Sequence, residues 1–187
     1  MAKQVWKGTV LTAPVPPVMV SCGNSTKANI ITVAWTGTVN TKPPMTYISL
    51  RPTRHSYGII KESGEFVVNL TPASLIKQTD YCGIYTGAKV DKFQKCNLTK
   101  AEASQVKAPL IAECPVNLEC KVTQILPLGT HDMFLAEIVA VHVDESLLDS
   151  SGKLHLEKAG LAAFAHGDYY ALGKKLAPFG VSVKKKR

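Results

Sequence analysis

The sequence predicts a mainly β fold: an antiparallel sheet curling toward closure, with helices packed outside it. Short apolar, β-branched runs recur along the chain, and most are joined by turn residues rather than by long connections. Two helical insertions interrupt them. Only 19% of the residues are charged against 45% hydrophobic, a globular balance, and 187 residues suffice for one domain with a sizeable core, expected to span 1–187. Periodicity does not distinguish a closed barrel from a sandwich.

The elements follow in order. Pro14, Pro16 and Pro17 make the start extended. Val18 to Cys22 is the first strand, and Gly23-Asn24-Ser25 is a turn. The run from Asn29 carries Ile30, Ile31, Val33 and Ala34 and ends on Trp35-Thr36-Gly37. A turn at Lys42-Pro43-Pro44 leads to a strand from Met45 to Leu50, which suggests a hairpin or neighbouring barrel strands. Next comes a polar, cationic corner, Arg51-Pro52-Thr53-Arg54-His55-Ser56, opening a helix at about 54–63. Thr53 can cap that helix, Tyr57, Ile59 and Ile60 give it an apolar side, and Gly64 can end it. Glu65 to Leu70 is a strand with Phe66, Val68 and Leu70 on one face and Val67 on the other. Thr71-Pro72 reads as a cap followed by Pro at the first helical position, with the helix running to about Tyr81. Gly83 to Gly87 is a loop, and Asp91-Lys92-Phe93 begins a short helical turn.

Beyond a short strand at Pro109 to Ala112, Val116 to Ile125 alternates. Val116, Leu118, Cys120 and Val122 face one way; Asn117, Glu119, Lys121 and Thr123 face the other. Pro127-Leu128-Gly129 turns the chain into Met133 to Val143, the longest β run and the one expected at the centre. A polar loop covers 144–153, and the segment from Gly160 has weak helical character.

Composition narrows the function. The five cysteines, Cys22, Cys82, Cys96, Cys114 and Cys120, are odd in number and lack CxxC spacing, which argues against a disulfide scaffold, a zinc site and a thioredoxin-type motif. Half of the +8 net charge lies in Lys184-Lys185-Lys186-Arg187, read as a solvated, disordered tail. No basic face interleaved with aromatics appears, so no nucleic-acid role is expected. No apolar run reaches spanning length, so no membrane partner is expected. Met1 to Lys7 lacks the apolar core of a signal peptide, and a cytoplasmic location is the default expectation. GxGxxG after a strand, the P-loop, HExxH and GxSxG are all absent. No metal site and no catalytic side chain are assigned.

The corner points to an anion. A helix start presents N–H groups without partners and the positive end of the dipole, and a phosphate placed there accepts those bonds. Arg54, His55 and Ser56 add charge and donors at the same point. Taken locally, a capped surface helix with a solvated Arg explains the same residues. The order of motifs adds to the reading. The run from Asn29 to Gly37, Pro43-Pro44 and a strand, then Arg51 to Ser56, Gly64 to Asn69, Asp91-Lys92-Phe93 and Gly129 to Phe134 together resemble the flavin reductase-like family of FMN-binding split barrels, most of all its flavoredoxin branch.

That resemblance implies a six-stranded Greek-key split barrel, a homodimer with FMN at or near the subunit interface, and hydride transfer from NAD(P)H to flavin N5. Electrons would then pass to free flavin, a metal complex or a protein. It also implies that Thr32, Val33, Ala34, Trp35 and Thr36, together with Ser49, Leu50, Arg51, Arg54, His55 and Ser56, line the FMN. A flavin needs donors for its phosphate, a flat apolar slot, and hydrogen bonds at its pyrimidine edge and N5. The corner answers the first need. The strand from Asn29 to Thr36, with its backbone N–H groups and the Thr32 and Thr36 hydroxyls, can answer the others. Lys92 is a second candidate for the phosphate or ribityl chain, weighed against a plain surface lysine. Trp35 either flanks the ring or packs in the core. His131 can reach the flavin edge or a nicotinamide, or it is simply exposed. Tyr169 or its neighbour Tyr170 matches a tail position that covers a neighbouring site, and Cys22 and Cys82 can lie near the flavin. Two other readings stand beside the oxidoreductase: a flavoredoxin-like electron carrier with a redox protein partner, and a split-barrel module for another ligand.

Overall fold

The computed structural model describes residues 1–183, so the basic tail 184–187 lies outside the described residues. Seven strands form one antiparallel sheet: β1 (Val18–Gly23), β2 (Ala28–Val33), β3 (Thr36–Thr41), β4 (Pro44–Leu50), β5 (Glu65–Leu70), and, after two short strands β6 (Lys100–Ala101) and β7 (Leu110–Ile111), the long β8 (Val116–Pro127) and β9 (Asp132–Val143). Their order across the sheet is β2-β1-β5-β8-β9-β4-β3. The two edge strands, β2 and β3, are joined by Ala34 and Trp35 alone. The three residue steps from Val33 to Thr36 span at most about 11 Å, so the edges must meet and the sheet must curl. The Ser49 N–H donates to the Trp35 carbonyl at 3.0 Å, which ties the junction to β4.

Six strands were expected, and seven are present. The run from Asn29 is expected to end on Trp35-Thr36-Gly37, but β2 stops at Val33, and after Ala34-Trp35 the chain continues as a further strand, β3, to Thr41. The hairpin is therefore β3–β4, with Thr41 opposite Pro44, and not β2–β4.

The inner face of the curled sheet carries Val18, Val20, Ile31, Val33, Ile48, Phe66, Val68, Cys120, Phe134 and Ala136, which form one buried cluster. Alternation along each strand sends these side chains the same way. Helix α1 (His55–Ser63) adds Ile60, fully buried, to that cluster. The opposite face of β1 and β2 presents Met19 and Ile30, covered by α2 (Ile76–Ile84) and α3 (Lys92–Lys95) through Cys82, Phe93 and Cys96.

Several local expectations need correction. Thr53 does not cap α1; Arg54 holds the cap position without a side-chain bond, while Gly64 ends the helix at φ 69° as expected. Pro72 precedes a 3-10 turn, Ala73–Leu75, before α2, and the Thr71 hydroxyl is buried without a partner. Between Gly160 and Gly180 the segment is not helical. It forms the hairpin β10 (Ala162–Ala165) and β11 (Asp168–Ala171), turned by His166 and Gly167 at φ 50° and 97°. A two-residue turn with both residues at positive φ matches the twist of its flanking strands. Among the described residues no helix is long and apolar enough to cross a membrane.

Candidate functional site

The chain leaves β4 at Leu50, turns through Arg51 to Arg54 with the Arg54 N–H on the Arg51 carbonyl at 3.0 Å, and enters α1. Its first N–H groups have no intrahelical acceptor, and no acidic residue occupies its first turn. Ser56 is buried at 1% exposure. Its Oγ accepts from Asn29 Nδ2 at 2.8 Å, and the hydroxyl also lies against the Cys22 thiol as a hydrogen-bond partner. Gly87 lies so close to Asn29 that a Cβ there would sit 2.0 Å from the amide oxygen. Only glycine lets the 86–88 loop approach this far.

Lys92 is not the surface lysine weighed against the phosphate role. It is 3% exposed, and its Nζ donates to the Ile30 carbonyl at 2.6 Å and the Cys82 carbonyl at 2.7 Å. An ammonium has three protons, so one remains. Asn29, Arg54, His55, Ser56 and Lys92 together line a cavity of about 120 Å³. A neighbouring cavity of about 150 Å³ is lined by Thr32, Val33, Ala34, Trp35, Ser49, Leu50, Arg51 and His131. Ile31 and Arg54 belong to both, which makes them two ends of one groove.

The charge in this groove is one-sided. Among the described residues no carboxylate lies within 4.0 Å of Arg51, Arg54 or Lys92; the close ion pairs belong to His142 and His155. Burial pushes the Lys92 ammonium below its usual range, and the Arg54 charge pushes the same way. Burial also lowers the His131 imidazole, and Arg51 and Arg54 lower it further. The His131 ring stands 4.4 Å from that of Trp35, tilted by 45°. Trp35 is 41% exposed, so it flanks the open slot and does not pack in the core.

Other expected contacts are engaged elsewhere. The Thr32 hydroxyl donates to the Thr79 carbonyl, and the Thr36 hydroxyl to the Tyr47 carbonyl at 2.6 Å. The first bond ties β2 to helix α2, and the second ties β3 to β4. Tyr169 donates to Asp80 at 3.2 Å and lines neither cavity; Tyr170 is exposed. Cys82 borders the smaller cavity, while Cys22 is fully buried in the core. Burial pushes their thiols up, to about 12 and about 11, so both stay protonated at neutral pH. The sequence reading missed the wall formed by Gly83, Tyr85, Thr86 and Gly87. Its signal was the pair of glycines flanking Tyr85, read only as a loop.

A cationic pocket at a helix start is thus continuous with a slot on the wall of a curled antiparallel sheet. Residues 11–173 match the model of the flavin reductase like domain, and the chain belongs to that family. An uncharacterised protein of Archaeoglobus fulgidus is 33% identical over 138 residues, 74% of this chain and 78% of that protein. The flavoredoxin of Desulfovibrio vulgaris superposes with a TM-score of 0.89 at 31% identity, covering 98% of this chain and 100% of its own. The flavoredoxin from Methanosarcina acetivorans gives 0.89 at 28% identity, covering 98% of each chain. An FMN-binding protein from Thermus thermophilus shares the fold, with a TM-score of 0.79 at 23% identity, covering 95% of this chain and 98% of that one.

Proposed function

We propose that this chain is an FMN-dependent oxidoreductase, loaded with FMN and reduced by NAD(P)H, that delivers electrons to free flavin, a metal complex or a protein. The observation that carries the reading is the convergence of Arg51, Arg54 and Lys92 on one groove with no carboxylate within 4.0 Å among the described residues. Buried or clustered charge without a counter-ion is unfavourable, and a phosphate dianion relieves it. The donor set fits that group: Arg54, the Ser56 hydroxyl, the remaining Lys92 proton and the α1 start would hold a phosphate, with His55 beside it.

The β2 backbone at 32–34 and the Ser49–Arg51 segment would bound the isoalloxazine, flanked by Trp35 and His131. FMN held there would supply the redox chemistry. The chain's own part is to bind, orient and tune. Arg51 and His131 face the slot where a hydrogen-bond donor or acceptor at the pyrimidine edge would shift the potential. With no nicotinamide-binding fold of its own, the chain would receive NAD(P)H by stacking on the ring. We further propose a homodimer whose partner chain completes the slot.

A second reading has a specific observation in its favour. Of the solved structures compared above, the two with the highest similarity are flavoredoxins, which fits an electron carrier served by a redox protein partner. Anaerobic stopped-flow mixing of FMN-loaded protein with NADH and then NADPH separates the readings. Rapid bleaching of the flavin absorbance is expected. A yellow protein that neither nucleotide reduces would transfer the assignment to the carrier. A protein that binds no flavin would overturn both and leave a barrel module for another ligand.

A further inference from the structure

Two sulphurs stand beside the phosphate corner. Cys82, in the last turn of α2, and Cys96, the residue that ends α3, meet Sγ to Sγ at 3.9 Å. Other thiols turn to backbone instead: Cys22 Sγ donates to the Asn29 carbonyl at 3.8 Å, and Cys120 Sγ to the Leu118 carbonyl at 3.4 Å. A disulfide holds its sulphurs about 2.05 Å apart, so roughly 1.9 Å of approach separates the present pair from a bridge. The two residues belong to separate helices joined by the loop at 85–91, and α3 is a single turn, so a shift of α3 toward α2 can supply that approach.

An oxidant has a way in from either side. Cys82 borders the cavity of about 120 Å³, and Cys96 is 8% exposed. Burial pushes both thiols up, Cys82 to about 12, and the Lys92 ammonium pulls both back. The thiolate is the reactive form, so oxidation is slow near neutral pH and quickens as the pH rises.

We propose that Cys82 and Cys96 are a pair that hydrogen peroxide oxidises to a disulfide, and that the bridge weakens the phosphate corner. Peroxide gives one oxygen to the first thiol: an S–O bond forms, the O–O bond breaks, and water leaves behind a sulfenic acid. The second thiol attacks that sulphur: the S–S bond forms, the S–O bond breaks, and the second thiol's proton leaves in another water. The two sulphurs together give up an electron pair, and the peroxide is reduced to water. The effect reaches the corner through Lys92. Its Nζ donates to the Cys82 carbonyl at 2.7 Å, and its own carbonyl accepts from the Cys96 N–H at 3.0 Å. Drawing the two cysteines together therefore displaces the ammonium that shares the cavity with Arg54 and Ser56. The effect on FMN rests on the flavin reading above; the bridge does not.

The test treats the full chain with excess hydrogen peroxide at mildly alkaline pH, blocks the remaining thiols and reads a non-reducing tryptic digest by mass spectrometry. The expected product joins residues 78–89 to residues 96–100, and a dithiol reductant separates them. FMN affinity of the oxidised protein should fall by about tenfold, with riboflavin, which lacks the phosphate, held within about twofold. Cys96→Ala should show neither the joined peptides nor the loss. Sulfinic or sulfonic acid at either cysteine without the joined peptides, or a link to a different thiol, overturns the pairing, and wild type alone decides this. A bridge that leaves FMN affinity unchanged, or that weakens both flavins alike, overturns its action on the corner. Failure of both flavins to bind untreated protein overturns the flavin reading, while the digest still reports the bridge.

Discussion

At Arg54 the backbone and the side chain serve one purpose. The backbone is extended there, at φ −77° and ψ 137°, so the residue stands just outside α1 with its guanidinium at the mouth of both cavities. A guanidinium beside a phosphate makes charge-assisted bonds worth about 1.5–3 kcal/mol. Arg54→Ala should therefore weaken FMN binding by roughly 10- to 150-fold, at about 1.4 kcal/mol per tenfold. Ser56→Ala removes a neutral donor and costs on the order of 1 kcal/mol. It also leaves the Asn29 amide short of its acceptor, so part of that loss is structural. Riboflavin lacks the phosphate, and its affinity should hold in Arg54→Ala. Titration of both flavins into both variants decides the matter: equal losses for FMN and riboflavin in Arg54→Ala, or no loss for FMN, would move the phosphate away from this corner. Of these residues, the sequence showed Arg54 and Ser56 as a capped helix start with spare donors. It could not show Lys92 as buried, because two long-range carbonyls, from Ile30 and Cys82, are what keep that ammonium inside.

Strands were the most legible elements: the alternation along β5 and β8 follows from which face meets the core, and β1 and β9 read as continuous apolar runs. What sequence could not display was the covering of the other face. The polar side of β8 was a plain alternation, yet Asn117 and Glu119 are buried at 6% and 0% exposure under the segment from Glu102 to Ile111. Glu119 fastens that segment. Its Oε1 accepts from the Ser104 N–H at 2.8 Å, the Ser104 hydroxyl at 2.7 Å and His142 Nε2 at 2.5 Å, and its Oε2 accepts from the Gln105 and Val106 N–H groups at 2.6 and 2.9 Å. Burial alone would push this carboxyl up, but the bonds from His142, Ser104 and Gln105 outweigh it and hold it at about 2, against an ordinary 4.5. A depressed carboxyl contributes stability above its unfolded value and loses that contribution as pH falls toward its folded value. The wild type should accordingly lose about 3 kcal/mol between pH 4.5 and 2. Glu119→Gln puts a donor where acceptors are needed, and should cost about 3–5 kcal/mol near neutral pH. The gap between the two proteins should then narrow as the pH approaches 2, read by urea unfolding. A gap independent of pH would mean that shape, and not the carboxylate charge, holds the segment.

At the scale of the whole molecule the unanswered surface lies at the two arms. Val5 and Trp6 are 98% and 69% exposed, and Leu176 and Phe179 are 98% and 105% exposed. These segments run outside the barrel without joining the main sheet. Trp35, beside the slot, is exposed at 41%, and Ile84 and Tyr85, on α2 and the residue after it, at 65% and 51%. Burying a large apolar side chain contributes about 1.5–3 kcal/mol, so a second copy that covers even a few of these side chains is favoured over solvent. A closed two-fold pairing is the common solution for such a surface, because the same patch serves both chains. The expected mass in solution is twice 20.2 kDa. Trp6→Ser/Phe179→Ser should shift that equilibrium toward the single chain by at least about tenfold, on the burial values above. Because the slot is open in one chain, FMN affinity should fall together with dimer affinity in the same variant. Light scattering and flavin titration over the same concentration range read both quantities. A flavin-loaded single chain at micromolar concentration would show that one barrel closes its own site and that these exposed side chains serve some other contact.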